Sequence, residues 1–183
     1  MKVVAGELPG TLILEPRVFR DERGSFLETW SERRYAEAGI PGPFVQDNVS
    51  VSRRGVLRGL HFQDPHPQAK LVTVLAGEVW DVAVDLRRDS PGFGRWMGLT
   101  LDAESGRQFF IPAGFAHGFQ VLSDEAVVSY RCSEYYHPEA EGTLAWDDPD
   151  LAIDWPVSDP VLSGKDRRGR RLQEIADGRS SRR

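Results

Sequence analysis

The segment Val79–Leu86 reads VWDVAVDL. Its even positions from 82 to 86 are aliphatic, and its odd positions from 81 to 85 are Asp, Ala and Asp. Because strand side chains point alternately to opposite faces, this two-residue period predicts a β-strand. The apolar run Leu71–Leu75 (LVTVL) precedes it, and the intervening Ala76-Gly77-Glu78 predicts a hairpin connection between two strands.

Strand signals continue on both sides of this segment, each one short and bounded by Gly, Pro, Asp or Asn. They cover residues 10–15, 26–30, 44–52, 95–101, 107–111, 117–122 and 126–135. The main helix signal is Ser31, a typical N-cap for residues 32–38, which end at Gly39. Many short strands with little helix predict an all-β antiparallel sandwich or barrel. Periodicity alone leaves a jelly roll and an immunoglobulin-like sandwich both open.

The length of 183 residues predicts one domain with a sizeable core. We expect residues 1–175 to form it and residues 176–183 to be a flexible basic tail. The N-terminal residues lack the apolar run of a secretory signal, and no stretch approaches the roughly 18 apolar residues of a membrane span. The single cysteine, Cys132, fits a reducing compartment and is interpreted as a buried small residue. We therefore expect a cytoplasmic protein without a membrane partner.

The net charge of −5 is unevenly distributed. Residues 164–183 carry eight Lys or Arg against three acidic residues, so the rest of the chain is strongly acidic. Duplex binding depends on clustered positive charge, so this acidic body argues against nucleic acid as a partner. The basic terminus is short and polar, and we expect it to fray.

The segment Pro112–His117 has the pattern Pro-x-Gly-x-x-His after a predicted strand, which resembles the second motif of cupins. Many cupins hold a metal through His-x-His, Glu and a later His. Here His61 is followed two residues later by Gln63, a poor ligand, while His66 and His137 lie beside prolines in predicted loops. The sequence therefore predicts a barrel without a metal or other cofactor.

Without a metal, His61 and His117 are candidates for acid–base chemistry, because imidazole titrates near neutral pH. Arg58 and Lys70 lie close to His61 in sequence. Cations beside a base suit a reaction that develops negative charge, or a substrate that carries phosphate. From the residues alone, Lys70 at the start of a strand is better explained as a solvated surface charge.

Seven segments together resemble the dTDP-4-dehydrorhamnose 3,5-epimerase family, in order, from about residue 10 to residue 175. They are Phe19–Glu28 (FRDERGSFLE), Gln46–Ser50 (QDNVS), Arg58–Gln63 (RGLHFQ), Gln68–Val72 (QAKLV), Asp81–Arg87 (DVAVDLR), Ile111–Phe119 (IPAGFAHGF) and Leu162–Asp166 (LSGKD). The resemblance implies a cupin-like antiparallel β-sandwich, or jelly roll, with a few short helices. It also implies a homodimer in which a neighbouring subunit completes the site.

The family's substrate is a deoxythymidine-diphosphate sugar with a ketone at C4, and the reaction inverts C3 and C5. By resemblance, His61 is the base, Asp166 orients it, Tyr130 donates a proton from the opposite face, and Lys70 meets the developing oxyanion. Strand alternation puts Tyr130 on the same face as Val128 and Cys132, which is consistent with an inward side chain. The implied substrate-binding residues are Arg23, Glu28, Gln46, Asp47, Asn48, Arg58, His117, Glu141 and Lys165.

Three other functions are compatible with parts of this pattern. A single-centre epimerase of a deoxysugar pathway would keep the same base and acid, and it is the closest alternative. A sugar-binding cupin without catalysis would not need His61, Tyr130 and Asp166 together. A metal-dependent cupin oxygenase or isomerase would need ligands that the sequence lacks. The sequence alone leaves open whether the product serves cell-wall rhamnose or a small-molecule sugar.

Overall fold

The computed structural model describes residues 1–40 and 42–178. Strands dominate these residues, which also contain two short α-helices, α1 (Glu32–Glu37) and α2 (Leu172–Ala176), and 3₁₀ turns at Pro138–Ala140 and Asp166–Arg168. The strands are β1 (Lys2–Ala5), β2 (Leu12–Glu15), β3 (Val18–Asp21), β4 (Gly24–Leu27), β5 (Gln46–Arg53), β6 (Leu57–Gln63), β7 (Lys70–Ala76), β8 (Glu78–Asp85), β9 (Trp96–Asp102), β10 (Gln108–Ile111), β11 (Phe115–Val121), β12 (Glu125–Cys132) and β13 (Glu141–Thr143).

Two antiparallel sheets form the body of the protein. The large sheet has the order β1-β2-β10-β7-β12-β5, and the small sheet has the order β13-β6-β11-β8-β9. The core between them joins Val72, Phe109 and Val128 of the large sheet to Ala83 and Phe119 of the small sheet. The predicted all-β, cupin-like sandwich is confirmed. None of the helices in the described residues is long and apolar enough to cross a membrane.

The helix predicted after Ser31 is present as α1, with Ser31 at its N-cap position but without a capping side-chain hydrogen bond. Tyr35 is buried, and its hydroxyl donates to Gln108 Oε1 at 2.6 Å. Helix α2 was not predicted from the sequence, and its Leu172 and Ile175 pack against the outside of the small sheet. The predicted tail begins at Ala176, the last residue of α2, and residues 179–183 lie outside the described residues.

The predicted hairpin at Ala76-Gly77-Glu78 is wrong. Strand β7 belongs to the large sheet and β8 to the small sheet, so this connection carries the chain across the sandwich. Gly77 has a φ of 75°, and a Cβ there would lie 2.1 Å from the carbonyl oxygen of Glu125. Both strands instead pair with partners distant in sequence, and such pairings cannot be derived from local turn signals.

Strand β6 was not predicted from periodicity, because its sequence LRGLHFQ does not alternate. A Cβ on Gly59 would lie 2.6 Å from the Cα of Gly118 on β11, so a glycine is needed where the two backbones approach. A register shift interrupts the β6–β11 ladder at this point, and His61 pairs directly with His117 beyond it. The local irregularity therefore places two imidazoles side by side.

The alternating strand β8 is buried on both faces. Ala83 lies in the core between the sheets, while Val82 and Val84 pack on the outside against Leu144 and Leu151. The C-terminal part of the chain thus covers the aliphatic face of β8. The odd positions of β8, including Asp81, face the interior, where a buried carboxylate needs a hydrogen-bond partner.

Candidate active site

A cavity of about 370 Å³ lies between the two sheets. The large sheet contributes to it through β5, β7 and β12, and the small sheet through β6, β11 and β13. Most of the residues singled out from the sequence line this cavity: Gln46, Asn48, Arg58, His61, Lys70, His117, Tyr130, Glu141 and Lys165. Residues from six strands therefore meet at one place.

His61 and Asp166 form a hydrogen-bonded pair at the cavity wall. His61 Nε2 lies 2.6 Å from Asp166 Oδ1, and the Ser163 hydroxyl donates to Asp166 Oδ2 at 2.8 Å. Burial raises the pKa of Asp166, but the hydrogen bonds from His61 and Ser163 outweigh it and hold that pKa below its usual value. An ionised Asp166 accepts the Nε2 proton of His61, so Nδ1 is left as the basic nitrogen of the neutral ring.

The lowered pKa of Asp166 predicts a pH-dependent contribution to stability. A carboxyl group with a lower pKa in the folded state stabilises the fold above its unfolded pKa of about 3.9, and this contribution is lost as pH falls through the folded pKa. We expect the difference in unfolding free energy between the wild type and Asp166→Asn to shrink as pH falls below about 4. Denaturant titrations at several pH values measure it, and a constant difference would contradict the ionised pair.

His117 is the second imidazole of the cavity, and it is held by a residue that the sequence analysis did not single out. Its Nε2 lies 3.0 Å from each carboxylate oxygen of Asp81. Burial lowers the pKa of His117 by disfavouring the imidazolium, and the Asp81 carboxylate opposes this effect. Asp81 is completely buried. Its sequence signals were an acidic residue on a strand face that also carries alanine and its place in the family-like segment Asp81–Arg87, and neither pointed to His117 as its partner.

Lys70 is only 7% exposed, so the interpretation as a solvated surface charge is wrong. Its Nζ donates to the carbonyl oxygen of His61 at 3.4 Å. Burial lowers the pKa of Lys70, and the nearby Cys132 and Asp81 act in the opposite direction. An ammonium group fixed in a cavity wall is preorganised to stabilise negative charge that develops there.

Tyr130 faces the cavity from β12, as strand alternation predicted. Its ring centroid lies 6.4 Å from that of His117. Burial raises the pKa of Tyr130, although Arg58 lowers it, so the phenol remains protonated at neutral pH. The neighbouring Tyr136 also lines the cavity and donates to Glu141 Oε2 at 3.1 Å, whereas Tyr135 is 59% exposed.

Polar side chains fix one another around the cavity. Gln46 Nε2 donates to Asn48 Oδ1 at 3.0 Å on β5. Lys165 Nζ donates to Glu141 Oε1 at 2.6 Å. Arg58 Nε donates to the hydroxyl of Ser52 at 2.9 Å, a contact that the sequence did not reveal. These pairs leave amide, guanidinium and ammonium groups available to a polar ligand.

Three predicted binding residues lie outside the cavity. Arg23 is at the tip of the β3–β4 hairpin, where it pairs with Asp21. The Glu28 carboxylate accepts from Arg34 at 2.7 Å, and Asp47 lies 3.3 Å from Arg131. A single chain therefore does not bring Arg23, Glu28 and Asp47 to the cavity.

The His, Cys, Asp and Glu side chains do not cluster as a metal site requires in the part of the chain that the structure describes. Within residues 1–40 and 42–178, no group of three or more of them could hold a metal ion. The side-chain amide of Gln63 is hydrogen-bonded to the backbone. Its Nε2 donates to the His66 carbonyl, and its Oε1 accepts from the His137 N–H. His66 and His137 stack on each other, with ring centroids 4.2 Å apart.

The arrangement suits proton removal and return at carbon. An imidazole, His61, comes from the small sheet, and a phenol, Tyr130, comes from the large sheet, so they face the cavity from opposite walls. Lys70 adds a buried amino group between these sheets. Base, acid and cation are the three groups needed to form and quench an enolate beside a ketone.

Comparisons with known proteins agree with this chemistry. The family model described as dTDP-4-dehydrorhamnose 3,5-epimerase matches residues 5–174. The dTDP-4-dehydrorhamnose 3,5-epimerase of Methanothermobacter thermautotrophicus is 53% identical over 176 residues, which are 94% of this chain and 95% of that protein.

Solved structures resemble the fold over nearly its full length. The epimerase from Legionella pneumophila, in complex with dTDP-4-keto-L-rhamnose, has a TM-score of 0.92 and 51% identity, covering 95% of this chain and 94% of that one. A 3'-monoepimerase from Streptomyces bikiniensis, in complex with dTDP-quinovose, has a TM-score of 0.88 and 37% identity, covering 94% and 89%.

Proposed function

Because the chain belongs to the dTDP-4-dehydrorhamnose 3,5-epimerase family, we propose that it converts dTDP-4-dehydro-6-deoxy-D-glucose to dTDP-4-dehydro-L-rhamnose. The observation that carries this proposal is the His61–Asp166 pair on one wall of the cavity with Tyr130 on the other. The product would serve dTDP-L-rhamnose biosynthesis. Incubating the purified protein with the substrate and assigning the configurations at C3 and C5 by NMR tests the proposal.

The first chemical step is removal of a proton beside the C4 ketone. His61 Nδ1 takes the proton from C3 or C5, and the electron pair of the broken C–H bond moves to O4 to form an enolate. The 2.6 Å contact with Asp166 stabilises the resulting imidazolium. Proton transfer by a positioned group of this kind contributes on the order of 10²–10⁴ in rate.

Lys70 stabilises the enolate. Its burial leaves little solvent to screen the ammonium, so its attraction for an oxyanion is stronger than at the protein surface. The 3.4 Å hydrogen bond to the His61 carbonyl fixes the side chain beside the base. Lys70 and His61 therefore act on the same part of the sugar.

Inversion follows when Tyr130 returns a proton from the opposite wall. The phenol donates its proton to the carbon, the enolate collapses to the ketone, and a phenolate remains. His61 keeps the substrate's proton until it exchanges with solvent, and Tyr130 regains a proton in the same way. Hydrogen from solvent thus enters each inverted centre.

The diphosphate and nucleoside bind to the polar part of the cavity. Arg58 and Lys165 would neutralise the diphosphate, and a guanidinium is well matched to phosphate oxygens. His117 is positioned by Asp81 and lines the sugar pocket. Gln46, Asn48 and Glu141 supply further polar contacts. An acidic protein can capture an anionic substrate in this way because Arg58, Lys70 and Lys165 line the cavity.

A homodimer is part of the proposal. Arg23, Glu28 and Asp47 do not line the cavity of their own chain, which supports a role for them in the cavity of a second subunit. Apolar side chains accompany them on the surface, since Phe26 is 71% exposed and Val49 is 62% exposed. Burial of these side chains against a second subunit would favour association. Sedimentation equilibrium should give twice the chain mass at micromolar concentration, and a monomer that retains full activity would refute the shared site.

The reaction is proposed to need no metal, which is supported by the incomplete set of metal donors around His61 and Gln63. We expect prolonged treatment with EDTA, followed by gel filtration into metal-free buffer, to leave kcat/KM unchanged. Activity should be compared with and without added Zn²⁺, Mn²⁺ and Fe²⁺. A loss of activity that one metal restores would contradict this prediction.

A single-centre epimerase is the second candidate, and the similarity to the 3'-monoepimerase favours considering it. Both reactions require a base, an acid and an enolate-stabilising cation. The configurations of the product at C3 and C5 separate them. A cytoplasmic location is also proposed, supported by the single cysteine, which is buried and free.

A further inference from the structure

Ser50 lies in the row of β5 residues that faces the cavity. Gln46, Asn48 and Ser50 alternate along the strand, and all three line the cavity. Asn48 is paired across the ladder with Tyr130, and Ser50 is paired with Val128, two residues before Tyr130. Ser50 is therefore the next inward-facing position of β5 after the one opposite the proposed acid.

The Ser50 hydroxyl is buried and has no hydrogen-bond partner within the described residues. Two other buried side-chain atoms share this property, Trp80 Nε1 and Arg107 Nε, but neither residue lines the cavity. Buried polar atoms in native proteins almost always have a partner. Since the described residues supply none and Ser50 lines the cavity, a water or ligand bound in the cavity is the partner that its surroundings offer.

The polar neighbours of Ser50 on β5 are already engaged. Asn48 Oδ1 accepts from Gln46, and Asn48 Nδ2 lies 3.6 Å from the sulfur of Cys132. The Ser52 hydroxyl accepts from Arg58 Nε at 2.9 Å. Ser52 therefore positions a cation, whereas the Ser50 hydroxyl between these residues is left available.

We propose that Ser50 is a substrate-contact residue whose hydroxyl donates a hydrogen bond to an oxygen of the bound sugar diphosphate. The proposal rests on the function proposed above. Along β5, Ser50 lies between the position opposite Tyr130 and Ser52, which holds Arg58. Because Ser50 lies between the proposed acid and the cation proposed to bind the diphosphate, a sugar hydroxyl and a phosphate oxygen are both candidate acceptors.

A binding role and a purely structural role predict different effects on stability. Ser50→Ala breaks no hydrogen bond within the described protein, so the unfolding temperature should stay the same or rise. A structural hydroxyl would instead lower the unfolding temperature when removed. The expected signature is weaker substrate use without loss of stability.

The experiment compares the wild type with Ser50→Ala and with a control, Ser129→Ala. Ser129 is paired with Val49 on the same two strands and belongs to the opposite face of the sheet. We expect kcat/KM for epimerisation to fall about tenfold in Ser50→Ala and to stay within about twofold of the wild type in Ser129→Ala. Calorimetric titration with dTDP, which has the diphosphate but no sugar substituent on it, then shows whether Ser50 contacts a phosphate oxygen or a sugar hydroxyl.

Weaker dTDP binding in Ser50→Ala by a similar factor assigns the contact to the diphosphate, and unchanged dTDP binding assigns it to the sugar. Wild-type kcat/KM in Ser50→Ala, or a lower kcat/KM accompanied by a lower unfolding temperature, overturns the proposal. If the wild type itself does not epimerise the substrate, the proposed function fails. Calorimetric titration of the wild type and Ser50→Ala with the intact sugar nucleotide then remains the test of Ser50, and equal affinities overturn its role.

Discussion

Replacing His61 by Asn should reduce epimerisation by about 10³-fold or more and should also abolish hydrogen exchange at C3 and C5. The amide fits the space of the imidazole but cannot accept a proton from carbon at neutral pH. Epimerisation and hydrogen exchange both require removal of the C3 or C5 proton, because no enolate forms until that proton leaves. Product formation and deuterium exchange, followed by NMR on the same sample, measure the two effects together.

His66→Asn is the matched control for His61→Asn. His66 does not line the cavity, and its φ of 70° is a conformation that Asn adopts readily. This variant should retain wild-type exchange and epimerisation. Substantial turnover by His61→Asn, with the control unaffected, would remove His61 from the role of base.

Tyr130→Phe should separate proton removal from inversion. The ring is retained but the hydroxyl is lost, so the enolate still forms at His61 and is not protonated from the opposite wall. A proton can then return only from the His61 side, after exchange with solvent, and this restores the original configuration. We expect inversion to fall by about 10²–10⁴-fold while deuterium still enters the substrate.

Tyr135→Phe is the control for Tyr130→Phe, because Tyr135 is exposed and does not line the cavity. It should behave like the wild type in both measurements. If inversion in Tyr130→Phe continues at the wild-type rate, another group supplies the second proton. Tyr136 would then be the next candidate, since it lines the same cavity.

Local sequence patterns predicted the elements of the fold better than their connections. Alternation located β8 and β12, and the Ser31 signal located α1. The connection at Gly77 was misassigned, because a glycine with positive φ serves a hairpin and a crossing between sheets equally well. Strand β6 was missed, because Gly59 interrupts its alternation. That glycine is needed for the close contact with β11, which the sequence pattern does not reveal.

In the site, too, local patterns predicted some features, whereas others depend on contacts between distant parts of the chain. The inward direction of Tyr130 follows from strand period, whereas the contact of His61 with Asp166 joins residues 105 positions apart and rested on family resemblance. Burial of Lys70 and the pairing of Asp81 with His117 depend on which sheet face is covered. Ser52 and Ser163 orient charged partners through hydroxyl contacts that only the folded chain creates.

The most direct test of the proposed mechanism is incubation of the wild-type protein with dTDP-4-dehydro-6-deoxy-D-glucose in D₂O. NMR would follow the hydrogen content and the configuration at C3 and C5. A base and an acid on opposite walls predict deuterium at both carbons, with inversion at both. Inversion at both carbons that retains the original hydrogen in a single turnover would contradict the account, because His61 and Tyr130 would then not be separate proton carriers.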